Sequence, residues 1–324
     1  MKQLIIVATL MCISMTNVYA NPALPDITVF IDEMVTKHDF DKDVLSQIFN
    51  EVEVKDSILK AISRPAEKSK PWYDYRKIFI TEKRINGGVK FWKNHTATLA
   101  AAEQKYGVPA EIIIAILGVE TRYGGNVGGY RVVDALSTLA FRYPPRSPFF
   151  RSELEHFLLL TREENMSRLT PVGSYAGAMG LGQFMPSSYR EYAVDFDNDG
   201  KRDIWTNPVD AIGSIANYLK RHGWVAGKSI VHKTFISGET PTVLLKKGLK
   251  PSINRAELTI AGISLHHLPM GNDDVSLISL TQTSGEEYWL ARQNFYAVTR
   301  YNHSRMYAMA VTQLAQAIRE QYGK

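Results

Sequence analysis

Apolar residues recur at helical spacing along most of the chain. After Phe40-Asp41, the positions Val44, Leu45, Ile48, Phe49 and Val52 predict a short helix within a helical stretch over 28–63. Ile85, Val89, Phe91, Trp92 and Leu99 predict one long helix, capped by Thr81, running towards Tyr106 and bent at Gly87-Gly88. Gly107-Val108-Pro109 breaks the pattern, and Pro109 opens the next helix, Ala110 to Glu120. That helix is apolar on every side (Ile112, Ile113, Ile114, Ala115, Ile116, Leu117, Val119), which places it at the centre of a core. Gly124-Gly125 is expected to end it. A loop over 143–149, a helix over 151–164 and a Gly-rich turn over 173–188 come next. Pro208 opens a helix with Ile212, Ile215, Ala216 and Leu219 on one face and Gly223 as its stop. Residues 225–291 change to β-rich runs, such as those from Val275 and Glu287, among Gly, Pro and Asn. Helix returns after Gln293, with Met306, Met309, Ala310, Leu314 and Ile318 on its buried face. The pattern predicts a mainly α (α+β) protein with a small β-rich subdomain and no tandem repeat.

Composition narrows this little. At 324 residues, 45% hydrophobic and 22% charged, the chain is no disordered tail, collagen or coiled-coil rod, and its length suits about two domains. No internal stretch approaches the roughly 18 apolar residues needed to cross a bilayer. A net charge of +5 suits a polyanionic partner, but no dense Lys/Arg stripe points to nucleic acid. The N-terminus reads as a secretory signal over 1–20: Lys2, then apolar Leu4 to Ile13, then Val18-Tyr19-Ala20 as a cleavage site. The lone cysteine, Cys12, lies within it behind Met11 and Thr9, a poor context for lipid attachment. A soluble exported protein without thiol or disulfide chemistry is expected.

Two segments carry candidate chemistry in the apolar core. In Gly118-Val119-Glu120-Thr121-Arg122-Tyr123-Gly124 a carboxylate ends an apolar run. Burial disfavours ionisation, so Glu120 is expected to hold a proton unusually well, as general-acid cleavage of a glycosidic bond requires. A structural ion pair with Arg122 is the competing reading. In the segment from Ser174 to Tyr189, glycines at 173, 177, 180 and 182 bare the backbone for a bulky ligand. Gln183 offers an amide, Phe184 a face, and Ser174 a hydroxyl that orients a carboxyl group; a packing turn between helices is the alternative. The segment lacks the ending and context of a phosphate loop.

A third segment, Asp195-Phe-Asp197-Asn-Asp199-Gly200-Lys201-Arg-Asp203, spaces acids at loop positions 1, 3, 5 and 9 with Gly at 6, as an EF-hand calcium loop does. Thr206 occupies position 12, normally a bidentate Glu, and Asp210 lies four residues later as a substitute. A solvated acidic loop is the alternative. Aromatic and amide residues suited to a polysaccharide groove cluster at Trp72-Tyr73-Asp74-Tyr75 and at Asn294-Phe295, Tyr301-Asn302 and Tyr307, though single aromatics more often serve packing. The eight histidines show no metal spacing, and no Gly-x-Ser-x-Gly elbow occurs.

Taken in order, these segments resemble the lytic murein transglycosylase B family over essentially the whole mature chain. The resemblance implies a lysozyme-like catalytic core over 108–224 holding the calcium loop at 195–210. It also implies an N-terminal helical region over 21–107, the β-rich subdomain over 225–291, and C-terminal helices over 292–324 completing the core. It implies cleavage of the β-1,4 bond between N-acetylmuramic acid and N-acetylglucosamine in peptidoglycan, with 1,6-anhydromuramic acid as product. By motif, Glu120 is the single acid and base, and Ser174 orients it or the substrate's N-acetyl group. Gln183, Phe184, Tyr75, Tyr301, Asn302 and Tyr307 contact sugar. Asp195, Asp197, Asp199, the backbone carbonyl of Lys201 and Asp210 hold calcium. The partners implied are glycan strands and cell-wall enzyme complexes, in the periplasm.

Ordinary glycosidases need two carboxylates. The sequence offers one strongly placed carboxylate and no second segment of similar quality, which suits a substrate that supplies its own acetamido group. A lysozyme-type hydrolase and a non-catalytic, calcium-stabilised wall-binding protein are the competing functions.

Overall fold

The computed structural model describes residues 25–63, 70–265 and 273–324; the expected signal segment and Cys12 lie outside them. The chain divides after Val52 into two compact units. In the first, α1 (Pro25–His38) packs on α2 (Lys42–Asn50). The Asp41 carboxylate caps α2 by accepting from the Val44 N–H at 2.9 Å, and Phe30 meets Phe49 edge to face.

The second unit begins with α3 (Asp56–Ile62), α4 (Trp72–Phe79), α5 (Glu82–Asn94) and α6 (Thr96–Tyr106). Thr81 caps α5 as expected, its hydroxyl accepting from the Arg84 N–H. The single long helix expected from Thr81 to Tyr106 is instead two helices, which part at His95 (φ −126°, ψ 27°) rather than at the glycines. Gly107, left-handed at φ 72°, stops α6.

Next comes α7 (Ala110–Thr121), with Ile113 to Leu117 wholly buried. Each such Ile or Leu contributes about 1.5–3 kcal/mol by leaving water. Strand β1 (Tyr130–Arg131) leads into α8 (Val132–Arg142) and α9 (Ser147–Glu163). Helix α9 starts earlier than expected because Pro148 sits in its first turn, where no N–H donor is needed. Strand β2 (Val172–Gly173) pairs antiparallel with β1, setting Tyr130 opposite Gly173. The Gly-rich turn closes on itself through Met179, which bridges both Gly173 and Phe184, before α10 (Pro186–Tyr192). Helix α11 (Pro208–Arg221) comes after the acidic loop.

The β-rich segment holds β3 (Val231–Thr234), α12 (Thr242–Leu245), α13 (Arg255–Ile260), β4 (Ser276–Gln282) and β5 (Gly285–Ala291). The strands order as β3-β5-β4, all antiparallel. Alternation sends Leu277 and Leu290, which face each other in register, into a small core with Leu244, Ile253 and Leu258. The chain closes with α14 (Gln293–Tyr301) and α15 (Arg305–Tyr322). Helix α7 is packed by α5, α6, α11 and α15, which is why it tolerates no polar face. Among the described residues no helix is long and apolar enough to cross a membrane.

Candidate active site

Two residues in unusual backbone conformation shape the end of α7. Arg122 (φ 54°) and Tyr123 (φ 63°) are both left-handed, so the helix ends before the expected Gly124-Gly125. This reversal folds Tyr123 back across three glycines. A Cβ on Gly87, Gly88 or Gly118 would come within 2.7, 2.8 and 2.6 Å of the Tyr123 side chain. The Tyr123 hydroxyl donates to the Arg84 carbonyl at 2.6 Å, and Arg84 Nε donates to the Gly118 carbonyl at 2.9 Å. Gly87-Gly88 therefore lets α5 and α7 approach around a phenol. The Thr121 hydroxyl donates to the Leu181 carbonyl at 2.9 Å and ties the Gly-rich turn to the end of α7.

Glu120 sits in that last turn, half-buried. Tyr307, on the first turn of α15, donates its hydroxyl to Glu120 Oε1 at 2.5 Å. Burial first, and then the Glu120 charge, pushes the Tyr307 phenol well above its usual range; Tyr301 is raised for the same two reasons in the same order. Both phenols therefore stay protonated at any pH the protein meets, and Tyr307 stays a donor. Tyr75, buried on α4, adds a smaller upward push on Tyr307. Tyr301 and Tyr307 lie with rings parallel, centroids 6.5 Å apart, and the Tyr301 hydroxyl donates to the Gly182 carbonyl. A Cβ on Gly182 would crowd that hydroxyl at 2.9 Å.

Glu120, Tyr75, Tyr301 and Tyr307 thus come together. Asn302, exposed beside Tyr301, lines a cleft of about 1070 Å³ with Tyr143, Arg146, Tyr175 and His303. Ser174 uses its oxygen to accept from the Ala176 and Ala178 N–H groups at 3.2 and 3.1 Å. A hydroxyl with both acceptor sites taken has its proton left to give. Gln183 is left-handed at φ 53° and spends its amide N–H groups on the Val127 and Gly180 carbonyls. Phe184 is 3% exposed and packs against Tyr218 and Tyr301. Its place is in the wall behind the site, and the open sugar-stacking face expected of it is absent. Asn294 is also structural: its amide clamps the backbone of Val225 and Lys228.

In the acidic loop, carboxylate oxygens of Asp195, Asp197 and Asp210 lie within 4.8 Å of one another. Asp210 is wholly buried, and burial raises its pKa ahead of the charges of Asp197 and Asp195; N–H groups of Phe196 and Asp203 oppose the rise. Asp199 stands outside this group, its carboxylate accepting from the Lys201 N–H at 2.9 Å. Of the five ligands expected, Asp195, Asp197 and Asp210 are thus gathered through their side chains. The Thr206 hydroxyl, at position 12, donates to Asp203, while the Asp210 carboxylate lies with those of Asp195 and Asp197.

Sequence reasoning passes over Tyr143 and Arg146, which read only as loop, and gives Tyr175 no role. Their tie to Asn302 is purely spatial.

The transglycosylase SLT domain family matches residues 24–316. The membrane-bound lytic murein transglycosylase B of Escherichia coli (strain K12) is 46% identical over 304 residues, 91% of this chain and 82% of the relative. The crystal structure of soluble lytic transglycosylase SltB1 from Pseudomonas aeruginosa is 51% identical with a TM-score of 0.87, covering 93% of this chain and 100% of that one. The Escherichia coli lytic transglycosylase Slt35 in complex with calcium is 45% identical with a TM-score of 0.84, covering 93% and 94%.

Proposed function

Because the chain belongs to the transglycosylase SLT domain family and is a lytic transglycosylase that cleaves peptidoglycan, we propose that Glu120 is its sole acid and base. The observation that carries this is the Glu120–Tyr307 pair: a carboxyl group at the end of a buried helix, fixed by a phenol that does not titrate. In the proposed reaction the Glu120 carboxyl protonates the glycosidic oxygen as the bond from C1 of N-acetylmuramic acid breaks. The substrate's 2-acetamido oxygen steadies the cation. Glu120, now a carboxylate, takes the proton of the 6-hydroxyl while O6 bonds to C1. The product is 1,6-anhydromuramic acid, and no water is consumed. Ser174, through its free proton, and Gln183 orient the sugar, and Asn302 and Tyr175 line the cleft that receives the strand.

Each cut by this route leaves no new reducing end. Sacculi digested by the protein should lose turbidity without a matching rise in reducing sugar; a stoichiometric rise would favour a lysozyme-type hydrolase. Tyr307→Phe should lower the digestion rate about tenfold, since one hydrogen bond to a charged group contributes about 1.5–3 kcal/mol. It should also shift the alkaline limb of the pH–rate profile upward, because a carboxylate that has lost its donor holds its proton longer. A rate profile that keeps its shape would remove Tyr307 from the mechanism.

The acidic loop fits a hard divalent cation. Asp195, Asp197 and Asp210 supply oxygen donors, and a bound cation would offset the burial that chiefly raises Asp210 and the smaller push from its acidic neighbours. We assign them to structural calcium, remote from the proton steps. Adding calcium to chelator-treated protein should raise Tm by about 5 °C when the ion is well above its Kd. Asp210→Asn should abolish that rise; a calcium response that survives it would place the ion elsewhere. Export through the leader at 1–20 places the reaction in the periplasm, where the polymer lies.

A further inference from the structure

Arg84, in the first turn of α5, buries a charge where packing alone would take a methionine. Burial first, and then the charge of Arg122, pulls its pKa below the usual arginine range, and the Tyr123 phenol opposes the fall. In return the guanidinium reaches two carbonyl oxygens. Its Nε donates to Gly118 at 2.9 Å, and its Nη1 donates to Ile78. Both acceptors lie in the last turn of a helix, where carbonyls run out of backbone partners. In α4 the N–H groups of Ile80 and Thr81 go to Arg76 and Phe79. In α7 those of Arg122 and Tyr123 both go to Leu117. Ile78 and Gly118 are passed over, and one side chain serves both. Its charge also meets the negative end of each helix.

Two routes lead from this guanidinium to Glu120. Along α7, Gly118 stands two residues before it. Through α4, the guanidinium lies over the Phe79 ring, 5.2 Å from its centroid, and Phe79 packs on Tyr75 with ring centroids 5.1 Å apart. Tyr75 is buried and stands close enough to Tyr307 to add to the rise of its phenol. Tyr307 then donates to Glu120 Oε1 at 2.5 Å. The contacts close a ring through Arg84, Phe79, Tyr75, Tyr307, Glu120 and Gly118. A lysine could not close it, because an ammonium is a point charge, whereas the guanidinium holds its donors in a rigid planar fork.

We propose that Arg84 is a positioning residue for the reaction. It locks the last turns of α4 and α7 together and so fixes the Glu120 carboxyl against Tyr307, with no need to touch the sugar itself. The inference rests on the assignment of Glu120 as acid and base. It extends that site by a clamp on the far side of α7 from the Gly-rich turn's tie at Thr121, and the clamp acts on geometry alone.

Steady-state kinetics of the full chain on soluble glycan fragments test the proposal, with rates taken per folded molecule by circular dichroism. Arg84→Lys keeps the charge and one of the two bonds, and should lower kcat about tenfold. Arg84→Met keeps only the stem, and should lower it about a hundredfold, the cost of a displacement near 1 Å at a reacting group. KM should stay within about twofold in both, because Arg84 does not line the cleft that holds Asn302. In a Tyr307→Phe background, Arg84→Met should cost only about tenfold, since one of its routes to Glu120 is already cut. A lowered Tm with wild-type kcat in folded Arg84→Lys and Arg84→Met would reduce Arg84 to a packing residue and overturn the proposal. So would a raised KM with kcat kept, or effects of Arg84→Met and Tyr307→Phe that multiply in full. Glu120→Gln, run alongside, separates the two readings. Its digesting at the wild-type rate would overturn the acid assignment itself. Its inactivity, with the Arg84 variants at wild-type kcat, would overturn the clamp alone.

Discussion

Glu120→Gln is expected to slow sacculus digestion by about a thousandfold while leaving the fold intact. Glutamine keeps the size of the side chain, and its amide oxygen still accepts from the Tyr307 hydroxyl, which donates to Oε1 at 2.5 Å in the wild type. What is lost is the proton. General acid–base catalysis typically contributes 10²–10⁴-fold, and here one group serves both halves of the reaction. The measurement is the initial rate of turbidity loss, paired with a thermal melt. A melting temperature within a degree or two of wild type is expected, because a neutral isostere at a half-buried site removes no packing. Digestion at the wild-type rate would show that another group carries the proton.

The second large effect lies two residues away and acts through shape. In Gly118→Ala the new methyl carbon would meet the Tyr123 ring at 2.6, 2.8 and 2.9 Å from three of its atoms. The ring has nowhere to go. Its hydroxyl is held by the Arg84 carbonyl and lies against Gly88, and Gly87 lies against the Cε2 edge of the ring. Overpacking of this kind costs about 1–3 kcal/mol. Relief by parting α5 from α7 would carry Glu120 with it, and a displacement near 1 Å at a reacting group costs up to about a hundredfold in rate. Gly118→Ala should therefore lower both Tm and digestion, unlike Glu120→Gln, which lowers digestion alone. Gly129→Ala, where a Cβ meets nothing within 4 Å, is the control and should change neither. An unchanged melt for Gly118→Ala would show that the ring is not wedged as described.

The same glycines show where a sequence is legible and where it is not. Helix α7 is readable because six apolar residues in a row, Ile112 to Leu117, permit only burial. The glycine pair at 87–88 reads as a bend, whereas the reason for it is a tyrosine 35 residues away in the chain whose backbone turns left-handed. The break at His95 leaves no trace either: Phe91, Trp92 and Leu99 keep helical spacing across it, and no Gly or Pro marks it. Spacing finds the acidic loop and reaches Asp210, but it does not show that the Asp199 carboxylate accepts from the Lys201 N–H two residues on. Tyr307 is tied to Glu120 in the sequence only through family resemblance, as 187 residues separate them. Phe184 reads as a stacking face from its place in the Gly-rich turn, and its burial among Tyr218 and Tyr301 moves it from the groove to the wall.

The central claim is that the sugar's own 6-hydroxyl, activated by Glu120, closes the reaction in place of water. Digesting purified sacculi in water enriched with heavy oxygen, and weighing the released muropeptides by mass spectrometry, tests it most directly. The account predicts fragments one water lighter than hydrolysis products, with no heavy oxygen at the muramic acid ends and none of these fragments from Glu120→Gln. Muramic acid ends that carry the label would contradict it.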